Sequence, residues 1–82
     1  MVIVSSDKEK MVNFDNVVAL WVETDCESDI IKYLVNAETD SMCVELGCYS
    51  SLKKAKRVLD GIMEFYVGHL DCYAMPDDFD EE

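Results

Sequence analysis

Ser51-Leu52-Lys53-Lys54-Ala55-Lys56-Arg57-Val58-Leu59-Asp60-Gly61-Ile62-Met63-Glu64-Phe65-Tyr66-Val67-Gly68 decides how this 82-residue chain folds. Its apolar residues recur at Leu52, Ala55, Val58, Leu59, Ile62, Met63, Phe65 and Tyr66, positions that share one side of an α-helix. Lys53, Lys56, Arg57, Asp60 and Glu64 fall on the other side. Ser50 or Ser51 offers an oxygen to the free N–H groups of the first turn. The helix is expected to run to about Val67, with Gly68 in the left-handed position that closes a helix. Gly61 lies on the polar side, where it costs ~1 kcal/mol against alanine and admits a close neighbour.

Upstream of the helix the apolar period drops to two. Val2-Ile3-Val4 reads as a short strand, closed by the polar run Ser5 to Lys10. Val12 and Phe14 alternate with Asn13 and Asp15, and Asp15-Asn16 suggests a bend. Val17 to Glu23 is a strand with Val18, Leu20 and Val22 on one face and Val17, Ala19 and Trp21 on the other. Thr24 to Asp29 reads as a polar turn. In the next strand, Ile30 to Glu38, residues Ile30, Lys32, Leu34 and Asn36 alternate with Ile31, Tyr33, Val35 and Ala37. Thr39-Asp40-Ser41 signals a hairpin turn. Met42 to Tyr49 follows, with Met42, Val44 and Leu46 inward, Cys43 and Glu45 outward, and a bulge or bend near Gly47. After the helix, Cys72 to Met75 forms a short closing strand that Pro76 stops.

These elements predict an α+β fold: a four- to five-stranded, mostly antiparallel sheet with one amphipathic helix packed on one face. Residues 1–76 form the single domain, and 77–82 an acidic, mobile tail. The second sheet face is left partly open.

Composition narrows the function. Eighteen carboxylates against seven bases give a net charge of −11. Such a balance works against direct binding of nucleic acid, which depends on Lys and Arg displacing counterions. It works equally against anionic membranes, and favours encounter with basic surfaces. No run approaches the ~20 apolar residues of a membrane span, and Met1 to Lys10 is unlike a signal peptide. A cytoplasmic location with reduced cysteines is expected.

Cys26, Cys43, Cys48 and Cys72 lack the closely spaced pairs that structural zinc draws on, so no metal or other cofactor is expected. The single histidine, His69, close to Cys72, is the residue any Ser–His or Cys–His pair must use, but it sits just past the helix, where an imidazolium suits the dipole, and reads as a capping or surface histidine. No glycine-rich phosphate loop or paired-carboxylate site stands out, and the chain is read as a binding protein, not an enzyme.

The candidate partner-binding residues are acidic and aromatic. Glu23, Asp25, Glu27 and Asp29 alternate, and Glu38 and Asp40 follow at the far end of the next strand. In an extended chain, carboxylates two residues apart point the same way at a spacing of ~6.7 Å. Trp21 and Tyr33, placed opposite Leu20 and Leu34, would be aromatic anchors on the open face. An alternative site uses Lys53, Lys56 and Arg57. These bases crowd the start of a helix against its dipole, which an anion at the exposed amide groups would offset. A phosphorylated signalling ligand would fit there. A third option is self-association, as a homodimer or structural homo-oligomer, through the open sheet face.

Three stretches resemble a known group. Val4-Ser5-Ser6-Asp7-Lys8 with Val12-Asn13-Phe14-Asp15-Asn16, then Leu46-Gly47-Cys48-Tyr49-Ser50-Ser51 with Ala55-Lys56-Arg57-Val58-Leu59 and Ile62, then Tyr73-Ala74-Met75-Pro76, are similar to small prophage-encoded proteins of Gram-positive bacteria. The likeness covers most of the chain except Ile30 to Met42. Cys48, at a usually polar position, and Gly61, within the helix, depart from the pattern. The resemblance implies phage context and carries over no functional residues. By analogy with acidic anti-CRISPR proteins, it implies a DNA mimic that inhibits host defence, with a basic host protein such as a CRISPR nuclease as partner.

Overall fold

The helix begins at the serine adjoining its first apolar residue. A computed structural model describes residues 1–78, and in it helix α1 spans Leu52–Val67. Ser51 is extended, with φ −135° and ψ 140°, and its hydroxyl oxygen accepts the Lys54 amide at 3.0 Å. One of the orphan donors of the first turn is thereby satisfied. Ala55, Val58 and Ile62 are buried on one face, with Leu59 and Phe65 packed beside them.

At the other end the left-handed residue is His69, at φ 59°, and not Gly68, whose φ is −77°. The His69 amide donates to the Tyr66 carbonyl at 3.1 Å and the Leu70 amide to the Phe65 carbonyl at 3.0 Å. This is the Schellman bond pattern, and it requires the reversal one residue after the cap. Gly68 is the cap itself.

Among the described residues six strands accompany the helix: β1 (Val2–Val4), β2 (Met11–Asn13), β3 (Val17–Glu27), β4 (Ile30–Thr39), β5 (Cys43–Tyr49) and, after α1, β6 (Cys72–Ala74). The α+β class and the mostly antiparallel pairing hold, but the single expected sheet is two sheets of three strands. One has the order β3-β4-β5, antiparallel throughout. The other has the order β2-β1-β6, in which β1 runs antiparallel to β2 and parallel to β6. The split has two local causes. The tight Ser5–Lys10 turn, with Lys8 at φ 65°, folds β2 back on β1. A 3₁₀ turn over Phe14–Asn16 then redirects the chain before β3.

Both sheets and the helix feed one core. Ile3, Val12, Tyr73 and Met75 come from or adjoin the small sheet, Val35, Ala37, Val44, Leu46 and Tyr49 from the large one. The Ser6 amide donates to the Leu46 carbonyl at 2.9 Å and ties the two sheets together at β5. Among the described residues, no helix is long and apolar enough to cross a membrane.

The large sheet departs from expectation in two further ways. Thr24 to Glu27 continue β3 instead of turning, paired with Ile30 to Tyr33, so the hairpin loop is only Ser28-Asp29, with Ser28 at φ 57°. A two-residue loop closes through backbone bonds that need no apolar side chains, and composition alone conceals it. Second, the register slips between Val17 and Ala19. The extra residue, Val18, is 62% exposed, while Val17 joins Leu20 and Val22 against the core. A second irregularity sets Gly47 opposite Val35 and Glu45 opposite Asn36, which places a bulge beside Gly47 as expected.

Candidate protein-binding face

Strand alternation gives the large sheet two unlike faces. Leu20, Val22, Tyr33, Val35, Ala37, Val44, Leu46 and Tyr49 pack toward α1. The opposite face is built from cross-strand rows. Glu27 stands opposite Ile30, Asp25 opposite Lys32, Glu23 opposite Leu34 and Cys48, Trp21 opposite Asn36 and Glu45, and Ala19 opposite Glu38 and Cys43. This face carries five carboxylates (Glu23, Asp25, Glu27, Glu38 and Glu45), all exposed, and one base, Lys32. From the Glu27 row to the Ala19 row it extends about 27 Å at ~3.4 Å per residue.

Glu23 is positioned by its neighbours. Its Oε1 accepts from Trp21 Nε1 at 3.4 Å and from Asn36 Nδ2 at 3.3 Å. These donors hold the carboxylate over the sheet without neutralising it. Lys32 lies across from Asp25, an opposite-charge pair of the kind that stabilises antiparallel strands modestly.

Not every candidate residue joins this face. Trp21 does, half-buried beside Glu23. Tyr33 does not: it lies on the helix side, half-buried against the core, because its parity is that of Val35 and Ala37. The two aromatics therefore cannot anchor one partner from a common surface. Asp29 occupies the β3–β4 loop at the tip. Asp40 sits in the β4–β5 loop at the opposite end, where Thr39 binds Met42 through backbone and side chain. The sequence reading missed Glu45 as a member of the site and Asn36 as its organiser. Alternation in β5 had already turned Glu45 outward, and only the bulge at Leu46 brings it opposite Asn36.

The helix start is arranged otherwise than the alternative site supposes. Asp78 Oδ1 accepts from the Ser50 amide at 2.8 Å and from the Ser50 hydroxyl at 3.2 Å. Lys54 Nζ lies 3.8 Å from the same oxygen and also donates to the Asp78 carbonyl. An anion at this end is already supplied by the chain. Lys53, Lys56 and Arg57 are exposed along the outer side of the first turns. The expected tail is described only through Asp78; residues 79–82 lie outside the described residues.

All four cysteines are free, with Cys26, Cys43 and Cys72 exposed and Cys48 half-buried. Burial pushes the Cys48 thiol above its ordinary value, against a smaller opposing pull from Lys32. Among the described residues, no group of three or more His, Cys, Asp or Glu side chains is placed to hold a metal ion. No protein-family model, curated protein or solved structure matches the chain.

Proposed function

We propose that this chain is a phage-encoded acidic inhibitor, which binds a host nucleic-acid-processing protein stoichiometrically and occludes its basic DNA- or RNA-binding surface. A CRISPR nuclease is the kind of target meant, and the chain acts by binding, without catalysis, in the host cytoplasm. The observation that carries the reading is the uncovered face of the β3-β4-β5 sheet, with five carboxylates to one lysine. Charge of one sign collected on one surface raises both the rate and the selectivity of encounter with a basic partner. The resemblance to prophage proteins supports the context.

The other readings have less behind them. A phosphorylated ligand at Lys53, Lys56 and Arg57 would compete with Asp78 for the helix start. Self-association through the open face would set carboxylates against carboxylates.

The test is capture from a lysate of a Gram-positive host by the immobilised chain, at low and high salt. The expected result is recovery of a basic nucleic-acid-processing protein at low salt, its release by added double-stranded DNA, and its loss with Asp25→Lys plus Glu27→Lys. Undiminished capture by that double variant at moderate salt would sink the proposal.

A further inference from the structure

Among the described residues the longest strand has an unpaired edge: β3 runs for 11 residues and, at the end of the order β3-β4-β5, has a described strand neighbour on one side only. The opposite edge of the sheet, at β5, is partly engaged by the Ser6 amide. Along residues 23–32 every residue of the β3–β4 hairpin is exposed, so its distal half stands clear of α1 on both faces. Ile30 and Ile31, at the tip, are 61% and 50% exposed. An edge of this length offers unpaired N–H and C=O groups to any extended chain.

Its side chains select which chain that is. Glu23, Asp25 and Glu27 project from one face of the edge strand at ~6.7 Å intervals, while Thr24 and Cys26 on the other face are uncharged. A second copy paired antiparallel through β3 would set these carboxylates against their own kind, and like charges directly opposite are destabilising. A strand with Lys or Arg at every second residue would meet all three with opposite charge. A depression lined by Asp25, Glu27, Ser28, Ile30 and Lys32 lies at the tip, with Ile30 to receive the apolar stem of such a side chain.

We infer that the partner contributes an extended basic segment that adds to β3 as a fourth strand, its alternate Lys or Arg side chains opposite Glu23, Asp25 and Glu27. This inference rests on the reading of the open face as a surface for basic proteins, and specifies how it is engaged. Main-chain bonds supply affinity and the alternating charges fix register, as in other cases of strand addition.

The experiment titrates the intact chain with a synthetic peptide alternating lysine and threonine. Two controls are the same peptide N-methylated on its β3-facing amides, and an isomer with its lysines grouped at one end. The alternating peptide is expected to bind at low salt and to slow hydrogen exchange at alternate amides of β3. N-methylation is expected to weaken binding at least tenfold, and grouping the lysines to weaken it as well. Equal binding of the methylated and unmethylated peptides overturns strand addition. If that binding is also lowered by Glu38→Gln plus Glu45→Gln, the acidic-face reading survives without the edge. No binding by any of the peptides at low salt overturns both.

Discussion

The ring of Tyr73 in β6 lies against the backbone of Gly61 in α1, so close that a methyl group on Gly61 would come within 2.8 Å of the Tyr73 hydroxyl and 3.3 Å of its ring. Tyr73 is 8% exposed and held edge-on by Phe65, with centroids 4.8 Å apart and ring planes at 89°. Glycine in a helix interior costs ~1 kcal/mol against alanine, yet here the absent Cβ admits the strand that closes the small sheet. Gly61→Ala is therefore expected to destabilise, because overpacking of ~1–3 kcal/mol exceeds the propensity gain. Urea denaturation checks the sign. The double variant Gly61→Ala with Tyr73→Phe, which removes the nearest atom, is expected to recover part of the loss. A more stable Gly61→Ala single variant would mean that the ring yields freely.

His69 and Ser28 hold left-handed backbone at φ 59° and φ 57°, where a Cβ is disfavoured. His69→Gly and Ser28→Gly are each expected to stabilise by about 0.5–1 kcal/mol, after allowing for the greater freedom of glycine in the unfolded chain. For a domain of this size that raises Tm by roughly 2–8 °C per substitution. Thermal melts followed by circular dichroism read it directly, and unchanged or lower midpoints would count against the backbone assignment.

Much of this architecture was legible because the residues concerned answer to local rules. The Ser51 cap and the apolar positions of α1 fix the helix, and period-two alternation marks the three long strands, though not the reach of β3 past Glu23 to its two-residue loop. What escaped depends on partners or on parity. Three-residue strands such as β1 and β6 carry no mark of which strand they will join, so two sheets read as one. A single bulge at Val18 moved Val17 to the core side, and Tyr33 falls on the core side because Val35 and Ala37, and not Leu34, set the inward face of β4. In the site, the Glu23, Asp25 and Glu27 row was visible as alternation. Glu45 was not recognised, since its place on the face depends on pairing with Asn36 across the sheet.

Asp78 clasps the helix start, where its carboxylate meets the Ser50 amide and hydroxyl and lies 3.8 Å from Lys54 Nζ. Asp78→Ala removes a favourable charge from the positive end of the dipole together with its hydrogen bonds, an expected loss of about 1 kcal/mol. Tyr49 secures the same segment from beneath, its hydroxyl donating to the Pro76 carbonyl at 2.7 Å. Tyr49→Phe is expected to lose a comparable ~1 kcal/mol. Because both changes act on one clasp, their double variant should fall short of the sum. Additivity in chemical denaturation would indicate two independent anchors.

Stability should fall on both sides of neutrality, from different residues. Tyr73 titrates above its ordinary value, chiefly because burial penalises the phenolate and secondarily because Glu64 repels it. Burial likewise raises Cys48. The folded state thus keeps protons that the unfolded chain releases. Their contribution is complete below the ordinary values, about 8.5 for Cys and 10 for Tyr, and is lost as pH climbs through the raised ones. On the acid side Asp7 is lowered, first by the Ser5 hydroxyl and next by the Glu9 amide, both donating to its Oδ1. That contribution is present above the ordinary Asp value and lost as pH falls through the lowered one. Denaturation midpoints measured from acid to alkaline pH should therefore change shape with two substitutions. Tyr73→Phe should flatten the alkaline limb alone, and Asp7→Asn the acid limb alone. If Tyr73→Phe leaves the alkaline limb as steep as before, the proton held at β6 does not govern it.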